Sequence, residues 1–361
     1  MAINPHLVKP YLLGVQGYKG GKAASTVASD RKVYKLSSNE NPVGPSPKAV
    51  AAIRAMSDQL HIYPDNTPER LYTALGKYYG VSADYFIAGN SGSEMIELLM
   101  TAFIREGDEV VISNPAFLVY NMFSKWRGCT AVDVPLLAPD YSLDVDGILN
   151  AVTDRTRMVF LTSPNNPTGS HIPAAQIEQI VAGVPDHVIV VLDEVYYRFA
   201  TAADYTIAMP YVQQGKQIIG INSYSKTHGL AGLRLGYMYT TAELATYIRG
   251  AVRPFLINSV GMEAAIAALD DEVWVESVVK LVQDQKARIY TALSQAGIKY
   301  WPTQANFILT KPSDEARLIQ HLEQHAIMVR PVTSFGAPGC VRISVGDEEA
   351  TDVLIHALSQ Y

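Results

Sequence analysis

The chain has 361 residues, of which 48% are hydrophobic and 18% charged, and it carries a formal net charge of −6. That length can bury a large core and is expected to divide into two domains, while the acidic balance excludes a general binder of nucleic acid or anionic membrane. The only cysteines, Cys129 and Cys340, imply a reducing cytoplasm rather than a disulfide framework, and no apolar run reaches the about eighteen residues that span a bilayer.

The opening MAINPHLVKPYLLG lacks the basic region and long apolar core of a signal peptide. Residues 1–35 show little periodicity and include GYKGGK, so they read as an arm, with Tyr11 and Tyr18 as aromatic anchors. An arm without a core of its own is expected to pack on something else, a partner subunit included. LSSNENPVGPSP (36–47) is an ordered turn that leads into a helix at Pro47 or Lys48. HIYPDNTPERL (61–71) is another turn, with Pro68 and Glu69 where the next helix should begin. Residues 85–88 form a short strand, and GNSGSE (89–94) then opens an apolar helix over 95–104. A glycine- and serine-rich turn at a helix start presents free N–H groups and the positive dipole end to an anion. An ordinary N-cap at Ser91 or Ser93 accounts for the same residues, and the GxGxxG spacing of a dinucleotide site is absent.

Four further apolar runs follow, at 109–113, 158–162, 188–192 and 218–221, and they end in NPAF, SPNNPTG, DE and NSYSK. They are continuous and β-branched with helix-length segments between them, which predicts parallel strands buried on both faces. Ligands of such sheets sit beyond the carboxyl ends of the strands, so these polar endings should converge on one edge. Asp193 closes an apolar strand, where a carboxylate needs a cation or a strong donor. A protonated pyridine nitrogen is one such partner, and a structural arginine is another. Asn166 and Tyr196 could both donate to a ring oxygen, and Phe117 offers a face for stacking.

Lys226 stands in IIGINSYSKTHGLAGLRLGY (218–237), with Ser223 and Ser225 beside it and Arg234 eight residues on. A poorly solvated lysine amine can form a Schiff base. Serines and an arginine around one amine suit a phosphate-bearing aldehyde, although a surface lysine after a strand is the common alternative. After Thr240 the pattern changes to helices over 254–269 and 272–296. Strand-like 305–310, a helix over 313–325, strand-like 327–332 and 340–346, and a helix over 348–358 complete a smaller α+β domain. Its boundary is expected near residues 245–260. Arg330 and Arg342 lie on these strands, either pairing an anion or solvated at an edge. No cysteine or histidine cluster has metal-ligand spacing, so no metal is expected.

With these pieces placed, the chain resembles the fold-type I aminotransferases that use pyridoxal phosphate, and within them the histidinol-phosphate aminotransferase branch. SSNENPVGPSP, YPD, SPNNPTG, LDEVYYRF, SYSKTHGLAGLRLGY, ANFIL and CVRISVG carry the likeness over nearly the whole chain. It implies an N-terminal arm (1–35), a large α/β cofactor domain (36–250) with a mixed, mostly parallel sheet between helices, and a smaller α+β domain (251–361) that packs with the N-terminal segment. It further implies that Lys226 forms the Schiff base and shuttles the substrate proton. Asp193 keeps the pyridine nitrogen protonated, so the ring can act as an electron sink. Asn166 and Tyr196 hold the ring oxygen, while Phe117 stacks on the ring. The cofactor phosphate falls to Ser91, Gly92, Ser93, Ser223, Ser225 and Arg234. Tyr63 reaches the phosphate in a neighbouring subunit, implying a homodimer with shared sites. Arg342 with Asn39 takes the acidic group of the substrate, and Arg330 with Tyr18 contacts its phosphate.

The resemblance thus implies a cytoplasmic transamination of L-histidinol phosphate with 2-oxoglutarate, a small-molecule amino donor and a 2-oxo acid, with no nucleic acid or membrane involved. Three departures lie near the substrate end: Phe117 where many relatives have tyrosine, YKGGK in the arm, and Leu256 in RPFLINS where many have asparagine. They leave open an aminotransferase for phenylalanine or tyrosine. More distant alternatives are a threonine-phosphate decarboxylase, which would release CO2, and a non-enzymatic ligand-sensing domain. No helix-turn-helix segment or basic patch supports the last. His228, two residues beyond the lysine, reads as structural because Lys226 already fills the role of base.

Overall fold

The five apolar runs singled out in the sequence lie in one sheet and send alternate side chains to its opposite faces. The structure is a computed structural model that describes residues 4–13 and 32–361. Its strands are β1 (Tyr34–Lys35), β2 (Phe86–Gly89), β3 (Glu109–Asn114), β4 (Thr130–Pro135), β5 (Thr156–Thr162), β6 (Ile189–Asp193), β7 (Ile218–Ser223), β8 (Gly236–Tyr239), β9 (Lys299–Trp301), β10 (Phe307–Lys311), β11 (Ile327–Met328), β12 (Arg330–Pro331) and β13 (Val341–Ser344). The large sheet has the order β2-β8-β7-β6-β5-β3-β4. The neighbours from β7 to β4 pair in parallel, and β8 runs antiparallel to both β7 and β2.

Val159 and Leu161 of β5, Val190 and Leu192 of β6, and Ile218 of β7 enter one apolar cluster. Met158, Phe160, Val191, Ile219 and Ile221 enter the other. The helices Pro47–Ala55, Glu69–Tyr79 and Ser259–Leu269 contribute to the first cluster, and Gly92–Phe103, Val119–Arg127 and Ala242–Arg249 to the second. Continuous apolar strands are therefore what a sheet covered on both faces requires. Two strands of this sheet escaped the sequence reading. β4 is an edge strand with a half-exposed pattern, and β8 is four residues led by a glycine.

The helix at Pro47 starts where the proline predicts, with the Ser46 side chain accepting from Ala49 N at 3.0 Å. The helix expected from Pro254 starts later, at Ser259. Asn258 caps it, accepting from Gly261 N at 2.6 Å, and Phe255 has φ +54°, which a right-handed helix excludes.

The smaller unit is an antiparallel sheet of order β12-β13-β10-β9, with the helices Glu272–Gln295, Glu315–Gln324 and Glu348–Ser359 in its cluster. Residues 327–332, expected as one strand, are two: β11 pairs in parallel with β1, and β12 pairs with β13. Residues 34–36 thus join the smaller unit, with Tyr34 and Leu36 in its apolar cluster. Ile257, Met262, Ala264 and Leu269 belong to the large-sheet cluster. The apolar cores therefore divide at Asp270 and Asp271, later in the chain than residues 245–260, because the helix Ser259–Leu269 packs on the helix Pro47–Ala55.

Leu161 is fully buried in the centre of the sheet. Leu161→Ala is expected to cost about 2–5 kcal/mol in chemical unfolding, and a cost below about 1 kcal/mol would mean that this face of β5 is not covered as described.

Candidate active site

The carboxyl ends of β5, β6 and β7, the start of the helix Gly92–Phe103, and the β12–β13 pair surround a cavity of about 380 Å³. Lys226, Asp193, Tyr196, Ser91, Gly92, Ser93, Phe117, Asn166, Ser223, Ser225, Arg234, Asn39, Arg330 and Arg342 all line it. One described candidate does not join them. Tyr63 lies on the surface, 81% exposed, with its ring 5.3 Å from that of Phe255. Tyr18 lies outside the described residues.

Asp193 is 5% exposed at the end of β6. Its Oδ2 accepts from Tyr120 Oη at 2.7 Å and its Oδ1 from Val195 N at 3.3 Å. Among the described residues, both of these donors are neutral. Burial raises its pKa to about 6, against the opposing pull of the Tyr120 and Val195 donors and the Lys226 charge. The adjacent Glu194 accepts from Ala208 N (2.9 Å), Asn222 Nδ2 (3.4 Å) and Tyr239 Oη, and it does not line the cavity. Burial pushes it up to about 8, and Asp193 is the acid of this strand end that faces the cavity.

Lys226 Nζ lies 3.3 Å from Asn39 O and 3.4 Å from Ser38 O, and 5.4 Å over the Tyr196 ring. Carbonyl oxygens hold the amine without capturing it in an ion pair. Two short chains of donors orient the side chains opposite. Ser344 Oγ donates to Asn39 Oδ1 at 2.9 Å, and Asn39 Nδ2 donates to Tyr196 Oη at 3.0 Å, so the tyrosine keeps its own O–H to offer. Arg342 Nη1 donates to Asn166 Oδ1, and Arg342 Nη2 to Ser37 O at 2.8 Å. With its oxygen occupied, Asn166 keeps its amide N–H groups to offer. His228 does not line the cavity. It is buried 5.3 Å from the Tyr224 ring, and burial lowers its pKa to about 4. It is neutral, as a structural histidine should be.

The chain matches the family "Aminotransferase class I and II" over residues 31–358. It belongs to that family. The aminotransferase is 35% identical to the histidinol-phosphate aminotransferase of Geobacillus sp. (strain WCH70), covering 98% of this chain and 97% of that one. It is also 35% identical to that of Moorella thermoacetica, over 97% and 91% of the two chains. Among solved structures, the histidinol-phosphate aminotransferase from Sinorhizobium meliloti in complex with pyridoxal-5'-phosphate superposes with a TM-score of 0.87 at 26% identity, covering 98% of this chain and 96% of that chain. The enzyme is thus a fold-type I aminotransferase dependent on pyridoxal phosphate.

The residues present fit that cofactor. Ser91 caps the helix Gly92–Phe103, accepting from Glu94 N at 3.3 Å, so the first N–H groups of the helix are available to a phosphate. Gly236 is needed beside them, since a Cβ there would lie 2.4 Å from Ser91 C and 2.5 Å from Gly92 N. Ser223, Ser225 and Arg234 add hydroxyls and a cation, and Phe117 adds a flat wall. The buried Asp193, held by neutral donors, suits a protonated pyridine nitrogen. The sequence reading missed Tyr120. Its signal was available in the need of Asp193 for a donor and in the three-residue spacing from Phe117. Among the described residues no group of three or more His, Cys, Asp or Glu side chains could hold a metal ion, and no helix is long and apolar enough to cross a membrane.

The folded-state pKa of Asp193 stands above its ordinary value of 3.8. Its contribution to stability is therefore fully present below that value and is lost as pH rises through about 6. A shift of about two units corresponds to about 3 kcal/mol. The cofactor-free Asp193→Asn protein should therefore be more stable than the parent near neutral pH, by up to about that amount, and should converge with it under acid conditions. Thermal unfolding of both apoproteins against pH measures this; parallel curves would mean that Asp193 is not desolvated.

Proposed function

We propose that this aminotransferase interconverts L-histidinol phosphate and 2-oxoglutarate with imidazole-acetol phosphate and L-glutamate, in the cytoplasm and as a homodimer. The observation that carries the substrate reading is a pair of arginines. Arg330 and Arg342 are direct partners across the β12–β13 ladder, both line the cavity, and each guanidinium lies 5.6 Å from the Phe335 ring. Two guanidinium groups on one wall suit a phosphate dianion. The names of the curated relatives support the same substrate.

Pyridoxal phosphate, when bound, supplies an electron-withdrawing ring that takes up the electron pair left when the substrate α-carbon loses its proton. Lys226 Nζ anchors the cofactor and moves that proton. Asp193 would offer its negative charge to the pyridine nitrogen and so preserve the withdrawing character of the ring. Asn166 and Tyr196 donate to the ring oxygen through the hydrogens that Arg342 and Asn39 leave them. Phe117 excludes water from one face, and Ser91, Gly92, Ser93, Ser223, Ser225 and Arg234 hold the phosphate. Arg342 with Asn39, and Arg330 with Tyr18, would bind the phosphate of histidinol phosphate in one half-reaction and a carboxylate of 2-oxoglutarate or glutamate in the other.

Tyr63 supports the dimer. Together with Leu60, Ile62 and Phe255 it forms an exposed apolar face, which a second copy would cover. Tyr63 of the partner subunit would then serve the cofactor phosphate. Tyr63→Phe is accordingly expected to weaken cofactor retention although the residue lies outside the cavity of its own chain. Sedimentation at working concentration should give a dimer, and a monomer retaining full activity would rule out shared sites.

The substrate is tested by half-reactions. Histidinol phosphate and phenylalanine, mixed separately with the enzyme, should both bleach the visible absorption of the bound cofactor, histidinol phosphate faster per mole. Faster bleaching by phenylalanine would favour the aromatic reading. Lys226→Ala should lose turnover by several orders of magnitude, and Arg330→Ala should raise KM for histidinol phosphate by about tenfold or more. A Lys226→Ala enzyme working at the parent rate would remove the mechanism.

A further inference from the structure

Asp193 has to keep a full negative charge and also keep one orientation. These demands conflict if the carboxylate is fixed by a cation, because an arginine or lysine in contact would cancel the charge it holds in place. The structure resolves the conflict with neutral donors. Tyr120 Oη lies 2.7 Å from Asp193 Oδ2 and 2.9 Å from Thr162 Oγ1, and Tyr120 is fully buried. An ionised carboxylate only accepts, so the single tyrosine proton must point to Asp193, and Thr162 must donate to the tyrosine oxygen. The chain Thr162 to Tyr120 to Asp193 has one direction only. Packing holds the ring as well: it stacks on Phe160, with centroids 5.0 Å apart and planes at 26°, and meets Phe117 edge-on at 6.1 Å.

We propose that Tyr120 is a positioning residue for the aminotransferase reaction, fixing Asp193 Oδ2 by a charge-preserving hydrogen bond so that the carboxylate meets the cofactor ring in one rotamer. This rests on the reading of Asp193 as the partner of the pyridine nitrogen. Tyr120 touches neither substrate nor cofactor in this role and acts through Asp193. The edge contact with Phe117 links the same side chain to the wall on which the ring would stack. One tyrosine thereby sets the position of both the carboxylate and the stacking surface.

The test is a cycle of four proteins: parent, Tyr120→Phe, Asp193→Asn and the double variant, each as holoenzyme and as apoprotein. Tyr120→Phe removes one hydroxyl and keeps the ring. In the holoenzyme it should lower kcat by about tenfold or more, with KM changed less than about threefold, and weaken pyridoxal phosphate binding several-fold. In the apoprotein, loss of the donor moves the pH-dependent part of thermal unfolding to higher pH, because the carboxyl stays protonated longer. Both effects should vanish in the Asp193→Asn background. An unchanged kcat and pH profile, or a loss of equal size with and without Asp193, would overturn the proposal and leave Tyr120 as packing. Thr162→Val should shift the same profile in the same direction by less, and it carries the test if Tyr120→Phe does not fold. Failure of the underlying reading looks different. Asp193→Asn would then keep cofactor affinity and rate, while the apoprotein cycle still showed the coupling to Tyr120.

Discussion

A charge buried at the end of an apolar strand is the constraint on which this site depends. Asp193 closes β6 between neighbours that pack both faces of the sheet. A carboxylate there is costly without a partner. Its donors, Tyr120 and Val195 N, hold it without neutralising it, so the charge remains for whatever enters the cavity. The adjacent Glu194 is occupied by Ala208 N, Asn222 Nδ2 and Tyr239 Oη and does not line the cavity. One strand end thus carries two acids in different surroundings, of which only Asp193 faces the cavity.

The backbone around that charge is strained in places that matter. Among the described residues, six that are not glycine have positive φ, and three of them, Asn39, Ser91 and Arg234, line the cavity. Such conformations cost about 1–3 kcal/mol each and persist only where the surroundings determine them. Asn39 is fixed by Ser344 and Tyr196, and Ser91 by its cap to Glu94 N. Arg234 is fixed through its bond to Ala231 O, at 3.0 Å. Of these three, Asn39 is the one tied to both units, through Ser344 and Tyr196.

What could be read from the sequence follows from how local each signal is. The apolar runs of β3, β5, β6 and β7 are continuous because burial on both faces leaves no polar position, so their existence and their shared edge were legible. Lys226, Asp193 and the serines stand at the ends of those runs and came with them. β8 was not legible, because its burial comes from pairing with β2 and β7, which no local pattern encodes. Tyr120 was missed although Asp193 needs a donor, because its partner is 73 residues away and the need does not say which residue meets it. Where the apolar cores divide was not legible, because the mostly apolar helix Ser259–Leu269 gives no sign of which core it joins. Tyr63 looks inert in one chain, since its proposed partner is another copy.

The substrate end was harder to read than the cofactor end, and the structure shows why. The proposed cofactor residues stand at or just after strands of the large sheet and at the start of the helix Gly92–Phe103, whereas the proposed substrate wall draws on both units. Arg342 belongs to β13 of the smaller sheet, yet it donates to Asn166 at the end of β5 and to the carbonyl of Ser37, which follows β1. An anion arriving at Arg342 therefore acts on a guanidinium that already orients Asn166. Binding of the substrate anion and alignment of the ring-oxygen donor are coupled through one side chain. A carboxylate and a phosphate make similar demands on that guanidinium. On the proposed reading, discrimination falls to the second arginine, Arg330, paired with Arg342 across β12 and β13. Two guanidinium groups side by side favour two negative charges over one, and this favours a phosphate over a lone carboxylate.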